Sequence, residues 1–283
     1  MGFKWSLVSI PDHLGVENVG GRLGAAFGPR AFWEVFSRMG GEVAMKSFLH
    51  GRHTLNPVTA QIEENHSRAA TLVEIATKEA ARTVVVGGGH DHGYSHLVGI
   101  RQALGKDARI ACINIDAHLD VRKPSPKISS GSPFYLAIEN QVIDPRDFIE
   151  FGIQSHCNGP ELWKYARAKG FEIVEFTQCR NAQAGLKFAD SLRKLASQAD
   201  AIVVSLDLDS ASEAFAPGVS APQSEGFTST DLIEICELAG ANAKVLSLGL
   251  FELNPLHDLD NRTARLAATC ADHFLRLAKD IRV

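Results

Sequence analysis

Ile110-Ala111-Cys112-Ile113 leads into Ile115-Asp116-Ala117-His118-Leu119-Asp120. The first run is short, apolar and rich in β-branched residues, as a strand buried on both faces is. Ala201-Ile202-Val203-Val204 leads in the same way into Asp207-Leu208-Asp209, and Thr83-Val84-Val85-Val86 into Gly87-Gly88-Gly89-His90-Asp91-His92. A carboxylate at the end of a buried strand is costly unless a positive group meets it. Four carboxylates and a histidine collect at two of these ends, with no lysine or arginine between them. The positive partner expected is therefore a metal ion.

Spacing supports this. If strand geometry continues past each apolar run, alternate residues share a direction. Asp116, His118 and Asp120 then face one centre, and Asp207 and Asp209 stand in the same relation. His90 follows glycines that let the backbone turn sharply and approach closely. Six protein ligands, four of them carboxylates, exceed what one catalytic zinc takes. Carboxylates can bridge, so two hard divalent ions fit better. Mixed imidazole and carboxylate ligation favours manganese over calcium and argues against copper or iron–sulfur sites.

Outward from these stretches, strand-like runs recur at 5–10, 43–49, 83–86, 109–115, 148–153, 171–176, 201–208 and 245–250. Helical periodicity lies between them at 63–81, 161–169, 184–198, 230–239 and 261–279. Alternating strand and helix predicts an α/β fold with a mostly parallel sheet covered on both faces. Ligands of such sheets bind beyond the carboxyl ends of the strands, where all three motifs lie. Residues 122–133 read as a Pro-, Ser- and Gly-rich loop of the kind that often carries function.

At 283 residues the chain can bury a substantial core, and no low-complexity linker divides it, so one domain over 1–283 is expected. A net charge of −4 without a basic block argues against a nucleic-acid partner. No apolar run approaches a membrane span, and no signal-peptide pattern opens the chain. Five scattered cysteines, Cys112, Cys157, Cys179, Cys236 and Cys270, suit a reducing cytoplasm.

Gly88-Gly89-His90, Asp116-Ala117-His118-Leu119-Asp120 and Ser205-Leu206-Asp207-Leu208-Asp209 resemble the three metal signatures of the arginase, or ureohydrolase, family. Glu252 in Phe251-Glu252-Leu253-Asn254-Pro255 is similar to that family's late glutamate. The resemblance spans nearly the whole chain. It implies a three-layer α/β/α fold with an eight-stranded sheet and two Mn²⁺ ions. By the same resemblance, His90 and Asp120 would ligate one ion, His118 and Asp209 the other, and Asp116 and Asp207 would bridge. Asp209 would also move a proton to the leaving nitrogen, and Glu252 would hold the substrate's amidine nitrogen.

Within the family the likeness is nearest to the branch that hydrolyses N-formimidoyl-L-glutamate to L-glutamate and formamide. Gly87-Gly88-Gly89-His90, Val121-Arg122, Ser129-Ser130-Gly131-Ser132-Pro133-Phe134 and Ala216-Pro217-Gly218-Val219-Ser220-Ala221-Pro222 point there, as does Gly21-Arg22-Leu23-Gly24-Ala25-Ala26. Ser130 stands where arginases carry a histidine, and serine supplies no acid with a pKa near neutrality. Arg122 suits a substrate carboxylate. Residues 152–158 lack an acid for an α-ammonium. The expected partner is thus a small, acidic, amino-acid-derived substrate, with self-association left open. The competing readings are an agmatinase, guanidinobutyrase or arginase, and a metal-binding protein without catalysis. Of the remaining groups, His92 and His96 read as packed histidines or partners of His90. His13, His50, His53 and His66 have no metal-type neighbours in sequence, and Arg22 reads as a loop tie or a substrate contact.

Overall fold

The computed structural model describes residues 3–40 and 45–278. Its strands are β1 (Trp5–Ser9), β2 (Leu49–Thr54), β3 (Arg82–Val86), β4 (Ile110–Ile115), β5 (Phe148–Ile153), β6 (Glu172–Glu175), β7 (Ala201–Asp207) and β8 (Val245–Phe251). They form one eight-stranded sheet in the order β2-β1-β3-β8-β7-β4-β5-β6. Every pairing is parallel. The all-parallel arrangement follows from strands apolar on both sides, which must be covered on both faces.

Helices supply that cover. On one face Phe32 and Phe36 of Gly28–Phe36, Phe188 of Ala184–Ala196, Ile235 of Ser229–Ala241 and Phe274 of Arg262–Ala278 pack in one cluster with Val84, Ile113, Val204 and Leu250. On the other, Val73 of Ile62–Glu79, Leu97 of His92–Leu104, Phe134 of Pro133–Glu139 and Leu162 of Pro160–Lys169 pack with Val85, Cys112 and Val203. The result is the three-layer architecture that the resemblance implied. No helix among the described residues is long and apolar enough to cross a membrane.

One expectation needs correction. Of the run 43–49, Val43 and Ala44 lie outside the described residues, Met45–Phe48 forms a 3-10 turn and only Leu49 belongs to a strand. The strand is the polar Leu49–Thr54 that follows, an edge strand paired on one side only, where polar residues are tolerated. The helix His92–Leu104 was not among those expected; buried His92, His96, Gly93 and Gly99 occupy its inner face. Gly99 is required there, since a Cβ would run into Val73 of the neighbouring helix.

This topology positions the site. The four strands that end in chemistry-bearing residues, β3, β8, β7 and β4, are consecutive in the sheet although far apart in the chain. Their carboxyl ends therefore form one ledge.

Candidate metal centre

Each strand end turns its side chains inward by a different local device. After β3, Gly87 N–H continues the ladder to Leu250 O at 2.9 Å, and Glu252 N–H donates to Gly88 O at 2.8 Å. A Cβ at Gly88 would run into the Asp12 carbonyl, so only glycine lets this segment pass. His90 N–H then donates to Glu252 Oε1 at 2.8 Å, which ties the two strand ends together. Glu252 itself sits at φ 64°, a region that non-glycine residues seldom occupy.

The strand geometry expected for Asp116-Ala117-His118 does not continue. β4 stops at Ile115, and Asp116 Oδ1 accepts the N–H of His118 at 2.7 Å, closing a turn. Asp120 follows at φ 45°. β7 ends with the same device: Asp207 Oδ1 accepts from Asp209 N–H at 2.8 Å. The side chains converge because each first aspartate folds the backbone around itself, not because alternate strand residues share a face. Asn158 finishes the loop, accepting from Leu119 N–H at 2.8 Å and donating to Ala117 O at 3.0 Å. Nothing in the sequence marked Asn158 for that task.

Six donors meet in two groups that share Asp116. His90 Nδ1 lies 3.1 Å from Asp116 Oδ2, 3.0 Å from Asp120 Oδ2 and 3.0 Å from Asp207 Oδ2. His118 Nδ1 lies 3.4 Å from Asp116 Oδ1 and 3.2 Å from Asp209 Oδ2. Asp116, Asp207 and Asp209 are buried, and Asp120 is 9% exposed. His90 Nδ1 and Asp209 Oδ1 are buried with no hydrogen-bond partner. Two divalent cations would balance four carboxylates and complete these orphaned atoms, so the donor set fits such a pair.

Burial, then Asp209 and Asp116, push Asp207 well above the carboxylate range, while burial raises Asp209 to about 6. His90 and His118 are raised well above their usual value: the facing aspartates outweigh burial, which alone would lower them. Burial also pushes Glu252 up to about 8. One ring nitrogen of His90, Nε2, meets Ser205 Oγ at 2.9 Å, which leaves Nδ1 to face the carboxylates.

A cleft of about 230 Å³ opens over the cluster, lined among others by Arg122, Ser130, Gly131, Cys157, Ser220 and Glu252. Every residue singled out from the sequence for metal, catalysis or substrate binding borders this cleft or lies beneath it. Glu252 Oε2 is buried and unpartnered. Arg122 is exposed, and no ion pair engages it among the described residues. Its loop is held from behind by Arg122 N–H to Gly131 O at 2.7 Å and Ser130 N–H to Gly15 O at 2.9 Å.

The remaining candidates separate cleanly. Arg22 ties a loop, donating to Val219 O at 2.5 Å and Pro217 O at 3.3 Å. His96 Nε2 meets Ser247 Oγ at 2.6 Å and does not reach the cluster. His92 Nε2 meets Asp12 Oδ2 at 3.1 Å, and His66 Nε2 meets Asp91 Oδ2 at 2.7 Å. His66 thus has acidic neighbours that its sequence context concealed, because Asp91 comes from another element. Hydrogen bonds within this buried set, including Asn65 to Asp12 at 2.9 Å, brace the loop that carries His90.

Comparison with known proteins places the chain among relatives of one family. A model of the arginase family matches residues 4–276. A formimidoylglutamase of Staphylococcus carnosus is 32% identical over 263 residues, covering 92% of this chain and 82% of that protein. The crystal structure of a Trypanosoma cruzi formiminoglutamase with Mn²⁺ aligns with a TM-score of 0.88 at 26% identity, over 98% of this chain and 94% of that one. Proclavaminate amidino hydrolase of Streptomyces clavuligerus aligns with a TM-score of 0.83 at 23% identity, over 98% of this chain and 92% of that one, a likeness of fold alone.

Proposed function

The chain belongs to the arginase family, and from that premise we propose that it hydrolyses N-formimidoyl-L-glutamate to L-glutamate and formamide at a pair of Mn²⁺ ions. The observation that carries the substrate is Arg122, an exposed guanidinium, without an ion pair among the described residues, at the rim of the carboxylate-rich cleft. It offers a bidentate contact to a substrate carboxylate. Ser130 lines the same cleft and cannot serve as a near-neutral acid.

His90, Asp120 and Asp207 would hold one ion and His118 and Asp209 the other, with Asp116 common to both groups. Bound there, the ions would lower the pKa of a shared water and polarise the amidine. The protein's own groups do the rest. Arg122 orients the substrate through its carboxylate. Glu252, which lines the cleft, holds the formimino nitrogen. Asp209 takes a proton from the attacking water and passes it to the departing glutamate nitrogen as the carbon–nitrogen bond breaks. Ser205 keeps the His90 ring in its metal-facing orientation. All of this lies on one domain, on one sheet. Its setting is a reducing cytoplasm, in keeping with five free thiols.

The test is a substrate panel with added Mn²⁺. Formamide release from N-formimidoyl-L-glutamate, with little urea from arginine, agmatine or guanidinobutyrate, is expected. Efficient urea release with no action on N-formimidoyl-L-glutamate would overturn the substrate while leaving the family intact.

A further inference from the structure

Three polar side chains lie where a doubly covered sheet calls for apolar ones. Asn114 on β4 is the register partner of Glu150 on β5 and of Ser205 on β7. All three are buried, on the sheet face that also carries Cys112 and Val203, one row beneath the metal cluster. Ser205 is explained by His90. Glu150 touches neither the cluster nor the cleft, and a carboxyl with 0% exposure in mid-sheet requires a reason.

The reason lies in Asn114. Its Nδ2 donates to Glu150 Oε2 at 2.8 Å and to Asp116 Oδ2 at 3.3 Å, so both amide hydrogens are committed. Two acceptors are left without partners, Asn114 Oδ1 and Glu150 Oε1, both buried. An ionised Glu150 has no hydrogen to offer, and both oxygens would stay orphaned at a cost. A protonated Glu150 solves both at once: Oε1–H donates to Asn114 Oδ1 while Asn114 Nδ2–H donates to Oε2. Burial pushes the Glu150 carboxyl well above its ordinary value and outweighs the Asn114 hydrogen bond, which acts the other way. Charge balance agrees, because two divalent ions already match the four carboxylates above, and a fifth buried negative charge would stand uncompensated.

We propose that Glu150 is an un-ionised carboxylic acid joined to Asn114 in a cyclic acid–amide pair, and that this pair positions Asp116, the carboxylate shared by both donor groups. The proposal rests on the two-ion reading of the cluster. Glu150 is a positioning residue: it fixes the amide plane of Asn114, whose second N–H then fixes the Asp116 carboxylate between the two histidines. Both links act through groups that are deeply buried, so no water replaces a lost partner without rearrangement.

The experiment compares the wild type with Glu150→Gln and Glu150→Met. Mn²⁺ affinity is measured by competition with a chelating indicator, and the un-ionised carboxyl stretch by infrared spectroscopy at neutral pH. Glutamine can donate to Asn114 Oδ1 and accept from Nδ2, so Glu150→Gln should bind two Mn²⁺ as tightly as the wild type while losing one un-ionised carboxyl band. Glu150→Met should bind Mn²⁺ about ten- to a hundredfold more weakly, as losses behind first ligands do. If Glu150→Gln weakens Mn²⁺ binding as much as Glu150→Met, or if Glu150→Met binds like the wild type, the pair does not position Asp116. If no carboxyl band separates the wild type from Glu150→Gln, Glu150 is ionised and the proposal fails, whether or not the Met variant folds. A wild type that takes up no Mn²⁺ would overturn the metal centre itself, a separate result.

Discussion

Asp116 is the residue on which the centre turns. Its two oxygens face different histidines, at 3.1 Å from His90 Nδ1 and 3.4 Å from His118 Nδ1. Asp116→Ala should therefore remove both ions, whereas His90→Ala should leave the ion held by His118 and Asp209. Metal analysis after Mn²⁺ loading and desalting decides: near-zero equivalents against one. Equal occupancy in the two variants would contradict the sharing. Arg122 gives a second prediction at this scale. It is exposed, so its contact with a substrate carboxylate is partly screened and worth roughly 0.5–1.5 kcal/mol. Arg122→Ala should raise KM for N-formimidoyl-L-glutamate by about two- to tenfold, leave kcat nearly intact and keep both ions, because the contact exists in ground and transition states alike. Steady-state kinetics that show a fall in kcat with unchanged KM would move Arg122 out of ground-state binding.

At the scale of elements, the turn between β3 and the helix His92–Leu104 is the most demanding joint. It must leave the sheet, pass under Asp12 and deliver His90 within bonding distance of Glu252, and the room for this comes from glycine. Gly88→Ala places a methyl group against the Asp12 carbonyl. The backbone must shift, an overpacking that typically costs about 1–3 kcal/mol. The urea midpoint of the metal-free protein should fall accordingly, and Mn²⁺ uptake should weaken because His90 moves with its loop. An unchanged midpoint would mean that the turn has slack which the close approach of Gly88 to Asp12 denies. By contrast, the two aspartate-closed turns after β4 and β7 need no glycine, since a short side chain does the folding.

For the molecule as a whole, the centre couples metal to stability through protons. Burial raises the Asp209 carboxyl from 3.8 to about 6 in the metal-free fold. The folded state then keeps a proton that the unfolded chain releases, so stability from the neutral form is complete below the unfolded value and is lost as pH climbs toward about 6. His90 and His118, also raised, act in the same direction over a higher range. Mn²⁺ takes only the deprotonated groups and replaces that lost stability by mass action. The gap in melting temperature between Mn²⁺-loaded and metal-free protein should widen from about pH 5 to about pH 7.5. A gap that is constant or narrows would mean that the ions bind elsewhere. Chelation should leave the far-UV signal of the sheet and helices in place, since the apolar clusters on both faces contain none of the six ligands.

The sequence by itself determined the strand–helix alternation, the doubly covered parallel sheet and the six acidic and imidazole groups that the fold gathers into one cluster, because a polar group at the end of a buried apolar run calls for a partner. Glu252, Arg122 and Ser130 were legible through resemblance to a family. What the tertiary structure decided lies in contacts between elements distant in the chain. Strand order made β3, β8, β7 and β4 neighbours, and no local pattern encodes that order. The aspartate turns replaced strand alternation as the cause of convergence, because a carboxylate can fold its own backbone more tightly than a continuing strand allows. Asn114, Ser205 and Glu150 looked like interruptions of buried strands. They became one polar row only when parallel register set three separate strands side by side. A single chain read in one dimension shows which residues are costly to bury; pairing across the sheet shows what satisfies them.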